Sequence, residues 1–205
     1  MKIIARIHTD FPDKFGIPRQ SGLIDELSAV IVFEPEYRNA DALRGLEEYS
    51  HIWLLWQFSE NLRTGWKATV RPPKLGGNTR KGVFATRSPF RPNPIGLSAV
   101  KLKKIEFNTP NGPLIHVCGA DLMDNTPIYD IKPYLPLVDS HPKAKAGFTE
   151  SIDYTPLRVS IPQELCKIIP ENKLTALKKI LAQDPRPSYQ DLPQRINGLN
   201  FSNYN

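Results

Sequence analysis

The chain has 205 residues, 40% hydrophobic and 23% charged, with a net charge of +6; that length suggests one domain able to bury a substantial core. No apolar run approaches the ~20 residues needed to span a bilayer, and MKIIARIHTDF is too short in apolar residues for a signal peptide. Two cysteines, Cys118 and Cys166, make neither a disulfide framework nor a zinc site, which implies cytoplasmic residence with both thiols reduced.

Ile3 to His8 reads as a first strand, and a loop with Pro12, Gly16 and Pro18 follows. Leu27 to Phe33 is apolar and β-branched, as a buried strand should be. Asn39 is a candidate N-cap for a short helix through Glu48, with Ala42, Leu43 and Leu46 on one face. His51 to Phe58 is the strongest strand signal in the chain; its His51, Trp53 and Trp56 read as core packing. Lys67 to Arg71 predicts a short strand, and the Gly76 to Gly82 loop leads to another at Val83 to Thr86. Ala99 to Phe107 alternates apolar residues with lysines, Asn111-Gly112 signals a turn, and Leu114 to Ala120 returns. Tyr129 to Ile131 suggests one more strand. Pro162 to Gln183 has helical spacing, split at Pro170. The fold class is mainly β: a β-barrel without a Rossmann unit, with a short helix after the second strand and a C-terminal helical segment. The expected division is a barrel domain over 1–160 and a helical extension over 161–205, whose polar, asparagine-rich tail from Asp191 is expected to be poorly ordered.

Charge is unevenly placed. Between Glu60 and Glu106 there is no acidic residue, but there are eleven lysines and arginines. That exceeds the whole net charge, so the rest of the chain is net −5. A one-sided basic segment is the electrostatic footprint of a polyanion binder, although a basic face without function is also common. Inside it lies VFATRSPFRPNPIGLS, Val83 to Ser98. Ser88-Pro89, Arg91-Pro92 and Asn93-Pro94 each fix the backbone, so Arg87, Arg91 and Asn93 are held in set directions. That suits gripping an anion or a planar base; a rigid connection between strands is the alternative. The Gly76-Gly77-Asn78 turn before Arg80 and Lys81 suits an RNA-backbone contact, a hairpin turn being the plain alternative.

PRQSG at Pro18 to Gly22, GLEEYSHIW at Gly45 to Trp53, RSPFRPNPIG at Arg87 to Gly96, DLMDNTPIYDIKPYLP at Asp121 to Pro136 and AQDPRPSY at Ala182 to Tyr189 follow in that order. Together they resemble the TsaA-type, or TrmO, family of tRNA methyltransferases, over nearly the whole chain. The resemblance implies a β-barrel enzyme that uses S-adenosylmethionine to methylate N6 of threonylcarbamoyladenosine beside the anticodon of threonine tRNAs. It also suggests a homodimer. Longer relatives continue with a small C-terminal unit of strands where this chain reaches NGLNFSNYN.

By the same resemblance, cofactor-binding residues are expected at Pro18, Arg19, Gln20, Ser59, Glu60, Arg87, Leu97, Asp121, Leu122, Met123 and Asp124. Their types fit: Arg19 or Arg87 for a carboxylate, Asp121 or Asp124 for ammonium or hydroxyl groups, with turn chemistry before Asn125 the alternative for the two aspartates. No GxGxxG or GxxxxGK[ST] is present. For transfer to an exocyclic nitrogen, an acceptor near N6–H is wanted; Asn93 and Asp124 are candidates, and Tyr134 could stack on or hydrogen-bond to the base. Arg91 matches the threonylcarbamoyl carboxylate as a bidentate fork. Arg80, Lys81 and Arg186 are further substrate-binding candidates, with Arg186 near the substrate entrance. His8, His116 and His141 lack metal-ligand spacing, so no metal is expected. Two other readings stay open: an RNA-binding relative that has lost activity, and a methyltransferase with a different acceptor.

Overall fold

The computed structural model describes residues 1–61, 65–75, 78–152, 154–186 and 194–204. Six strands close into an antiparallel barrel: β1 (Ala5–His8), β2 (Ser28–Phe33), β3 (His51–Gln57), β6 (Ile95–Glu106), β7 (Leu114–Cys118) and β8 (Thr126–Pro133). Their order around the barrel is β1-β2-β7-β6-β3-β8. The two-residue strands β4 (Thr69–Val70) and β5 (Lys81–Gly82) pair in a separate ribbon.

Alternation drives closure. Successive strand residues point to opposite faces, so β3 sends Ile52, Leu54 and Trp56 inward. Ala5 and Ile7, Ala29, Ile31 and Phe33, Ile115 and Val117, and Ile128 meet them from the other strands. These side chains fill the interior, as in other small barrels.

Three departures from the sequence reading have local causes. Where one short helix was expected after β2, the chain makes 3-10 turns at Pro35–Tyr37, Ala40–Leu43 and Leu46–Glu48. Asn39 does cap, accepting from the Asp41 N–H at 3.0 Å, but Gly45 at φ 84° ends the run before it can lengthen. Val83–Ala85 is a 3-10 turn rather than a strand. β6 begins at Ile95, before Ala99, because Pro94 closes the rigid loop and Gly96 and Ser98 already pair with β3.

The C-terminal helix breaks as expected, into α2 (Gln163–Ile168) and α3 (Glu171–Ala182) at Pro170, after a short α1 (Pro136–Asp139). α3 buries Ala176 and Ile180 against Phe11, Ile24, Leu27 and Phe201. Over the described residues 194–204, the tail packs on the fold instead of being poorly ordered. Phe201 is fully buried, its ring centroid is 5.5 Å from that of Phe11, and Ser202 N–H donates to the Asp10 carbonyl. A single large aromatic in a polar segment anchors it.

Candidate functional site

The end of β3, the starts of β6 and β8, and the segment after β7 meet at one mouth of the barrel. There a cavity of about 470 Å³ opens, a size typical of small-molecule sites. Its walls include Ile17, Trp56, Phe58, Ile95, Leu97 and Met123; its polar groups include Lys14, Arg19, Gln20, Glu60, Arg87, Arg91 and Asp121.

Trp56 forms the inner wall, and the fold makes room for it. The β3–β8 register slips between Leu55 and Trp56, a bulge of the kind that re-aims side chains. Across the other edge, Trp56 faces Gly96, where a Cβ would sit 2.2 Å from the indole. Only glycine lets the ring lie there. The indole N–H donates to Ser98 Oγ at 2.9 Å, and Ser98 Oγ–H donates to Asp121 Oδ1 at 2.6 Å. Burial pushes the Asp121 carboxyl above its ordinary range, against the pull of Ser98, backbone N–H groups and Arg87. Burial also lowers the Arg19 guanidinium, offset by the nearby Asp184 carboxylate.

Arg87 donates to the Gln20 side-chain carbonyl, joining the proline-rich loop to the PRQ segment. Arg91 Nη1 donates to the carbonyls of Thr86 and Ser88, at 2.9 and 3.2 Å, pinning the same loop from within. Lys14 Nζ donates to the Glu60 carbonyl. Within this cavity four cations oppose two carboxylates, Glu60 and Asp121, so it favours an anionic group with one acidic pocket for a cationic or hydroxyl group.

Most residues expected to hold the cofactor therefore converge: Pro18, Arg19, Gln20, Ser59, Glu60, Arg87, Leu97, Asp121 and Met123 all line the cavity. Leu122 does not. It points into the barrel core, fully buried. Asp124 does not either. Its Oδ1 accepts from Thr9 N–H at 3.0 Å and lies 3.3 Å from His8 Nδ1, closing the turn before β8. Tyr134 stands at the opposite end of β3, packed on His51 and Trp53, a strand's length away. Asn93 sits exposed in the rim loop between the lining residues Arg91 and Ile95.

Arg80 donates to Thr69 Oγ1 on the β4–β5 ribbon, and Lys81 lies over the Phe148 ring at 5.8 Å. Arg186 forks onto both oxygens of Asp184, whose carboxylate it holds below the ordinary range. Asp184 also faces Arg19, which puts this pair beside the cavity. Gly76, Gly77 and Tyr189 lie outside the described residues. Among those residues no helix is long and apolar enough to cross a membrane.

Trp56, Gly96 and Ser98 were missed as site residues. Ser98 carried the signal: a polar residue in the same strand phase as Gly96 and Val100 must be buried, and buried hydroxyls need partners.

A family model described as the tRNA-methyltransferase O N-terminal domain matches residues 6–140. A tRNA (adenine(37)-N6)-methyltransferase of Escherichia coli (strain K12) is 43% identical over 198 residues, spanning 91% of this chain and 82% of its own. Another of that name, from Eikenella corrodens, is 50% identical over 150 residues, spanning 72% of this chain and 83% of its own. A crystal structure of TrmO from Pseudomonas aeruginosa superposes with a TM-score of 0.74 at 31% identity, covering 98% of this chain and 87% of that one.

Proposed function

We propose, for a chain that belongs to the tRNA-methyltransferase O N-terminal domain family, methyl transfer from S-adenosylmethionine to N6 of the threonylcarbamoyladenosine beside the anticodon of threonine tRNAs. The observation that carries this reading is the cavity at the barrel mouth, where arginines, one half-buried carboxylate and an apolar wall adjoin an acid-free basic loop.

The residues fit an adenosyl amino acid. Arg87, with Arg19 beside it, suits the carboxylate. Asp121, half-buried and accepting from Ser98, has acceptor capacity left for an ammonium or ribose hydroxyls. Trp56, Phe58, Leu97 and Met123 offer an apolar slot for a purine. When bound, S-adenosylmethionine supplies an electrophilic methyl group on a sulfonium.

This chain's residues have to align the acceptor and manage one proton. Asn93, on a loop stiffened by Pro92 and Pro94, accepts a hydrogen bond from N6–H through its side-chain oxygen, localising the nitrogen lone pair. The proton leaves to water at the open rim. Arg91 keeps Nε and Nη2 as donors for the threonylcarbamoyl carboxylate while Nη1 holds the loop. None of Arg80, Lys81 and Arg186 lines the cavity; Arg80 and Lys81 on the ribbon and Arg186 beside the cavity suit phosphates. Asp124 and Tyr134 have no role within this subunit's cavity.

The working form is a cytoplasmic homodimer. Leu55 on β3 pairs with Leu97 on β6 across the outer barrel face, and Leu97, Leu135, Leu137 and Val138 stand exposed. Because Leu97 also lines the cavity, a second copy on this face would wall the site. Sedimentation mass of the protein, with Leu137→Asp expected to give monomer, checks it.

Incubating the protein with S-adenosylmethionine and tRNA, then analysing the nucleosides by mass spectrometry, tests the function. The methylated form of threonylcarbamoyladenosine is expected; a methyl group on any other nucleoside would replace this acceptor.

A further inference from the structure

Phe84 is 71% exposed and Trp66 is 50% exposed, yet their rings stack on each other, with centroids 5.9 Å apart and planes 24° apart. Two large aromatic side chains left in water forgo the burial that usually places them in a core.

The pair is held rigidly. Val83, next to Phe84, is buried, its N–H donates to the Ala68 carbonyl, and its own carbonyl accepts from Thr86 N–H and Oγ1. On the other side, Lys67 N–H donates to the Phe90 carbonyl. Both rings therefore sit on backbone that is fixed by neighbouring loop contacts.

The surroundings are cationic. The Arg91 guanidinium lies 5.9 Å from the Phe84 centroid and also lines the cavity. Lys67, Arg80 and Lys81 lie on the adjoining ribbon and loop, all within the interval free of acidic residues. Cores of protein interfaces are depleted in lysine and other charges. Aromatic faces set among cations are what single-stranded nucleic acid requires, because every base has a π-face and every nucleotide a phosphate.

We propose that Trp66 and Phe84 form a stacking platform for an unpaired base adjacent to the methylated nucleotide. This rests on the RNA-methylation reading above. Arg91 joins the two positions, so a nucleotide stacked on Phe84 delivers its neighbour to the cavity. The platform positions substrate and takes no part in methyl transfer itself.

The test uses the whole protein and an anticodon stem-loop carrying threonylcarbamoyladenosine. Trp66→Ala and Phe84→Ala are each expected to raise the KM for RNA by roughly tenfold or more, the usual cost of losing one stacked base, with S-adenosylmethionine affinity unchanged. Stacking on Trp66 should quench its indole fluorescence when RNA binds, and Trp66→Phe should retain wild-type KM while losing that quenching. Replacing a base flanking the target by an abasic site should weaken the wild-type protein but not further weaken Trp66→Ala. Unchanged KM in both alanine variants, with an active wild-type protein, overturns the platform alone. Unchanged KM with a changed sedimentation mass assigns the pair to a protein contact and also overturns it. An inactive wild-type protein would instead remove the functional reading on which the platform rests.

Discussion

Ser98 Oγ donates to Asp121 Oδ1 across 2.6 Å, and behind it the Trp56 indole donates to the same hydroxyl. One buried serine thus ties the apolar wall of the cavity to its acidic group. The carboxyl is kept in place at a cost, since burial raises its pKa above the unfolded value. A raised acid binds its proton more tightly folded than unfolded, so its stability penalty is absent below the ordinary carboxylate range. It grows as pH rises towards the folded pKa and is constant above it. Asp121→Asn should therefore melt at a higher temperature than wild type at pH 7, with the gap closing as pH falls. The same variant should bind S-adenosylmethionine about 10- to 100-fold more weakly. Calorimetric melts across pH, paired with binding titrations, check both halves; equal melting at pH 7 would remove the strain.

Gly96→Ala places a methyl group inside the Trp56 ring position. The indole has to move, which breaks its bond to Ser98 and distorts the cavity wall. Overpacking of this kind costs about 1–3 kcal/mol. Denaturant unfolding should show that loss together with weakened cofactor binding, whereas Gly82→Ala, with open space around its Cβ position, should show far less.

Arg87 and Arg91 sit four residues apart on one loop and should fail differently. Arg87 is exposed and reaches Gln20, so Arg87→Ala should leave the melting temperature within about 2 °C and weaken cofactor binding. Arg91 bonds two carbonyls of its own loop, so Arg91→Ala should raise the KM for tRNA and speed amide exchange around Ser88 and Phe90. Hydrogen exchange and steady-state kinetics separate the two.

Asn93→Ala removes the proposed acceptor without touching the cavity lining. Turnover should fall by roughly 100-fold or more while S-adenosylmethionine still binds. Near-normal turnover would take Asn93 out of the mechanism.

The barrel strands were legible as short apolar runs, β-branched in SAVIVF of β2 and aromatic-rich in HIWLLWQ of β3, where the alternation shows only in the burial of Ile52, Leu54 and Trp56. Val83 to Thr86 misled because a buried valine beside a phenylalanine looks like a strand, although the phenylalanine faces water. The family motifs located most of the cavity wall. They also carried Asp124 and Tyr134, which spacing in sequence could not separate from Asp121; only the turn after β7 shows that one aspartate faces the cavity and the other closes the turn. Trp56 was legible as core, and it is core, but its position at the end of β3 also makes it a wall of the site.

The most direct measurement is transfer of a labelled methyl group from S-adenosylmethionine to two preparations of threonine tRNA, one carrying threonylcarbamoyladenosine and one lacking it. The proposed function predicts incorporation into the modified tRNA alone, abolished by Asn93→Ala. Equal incorporation into both preparations, or none into either with cofactor binding intact, would contradict it.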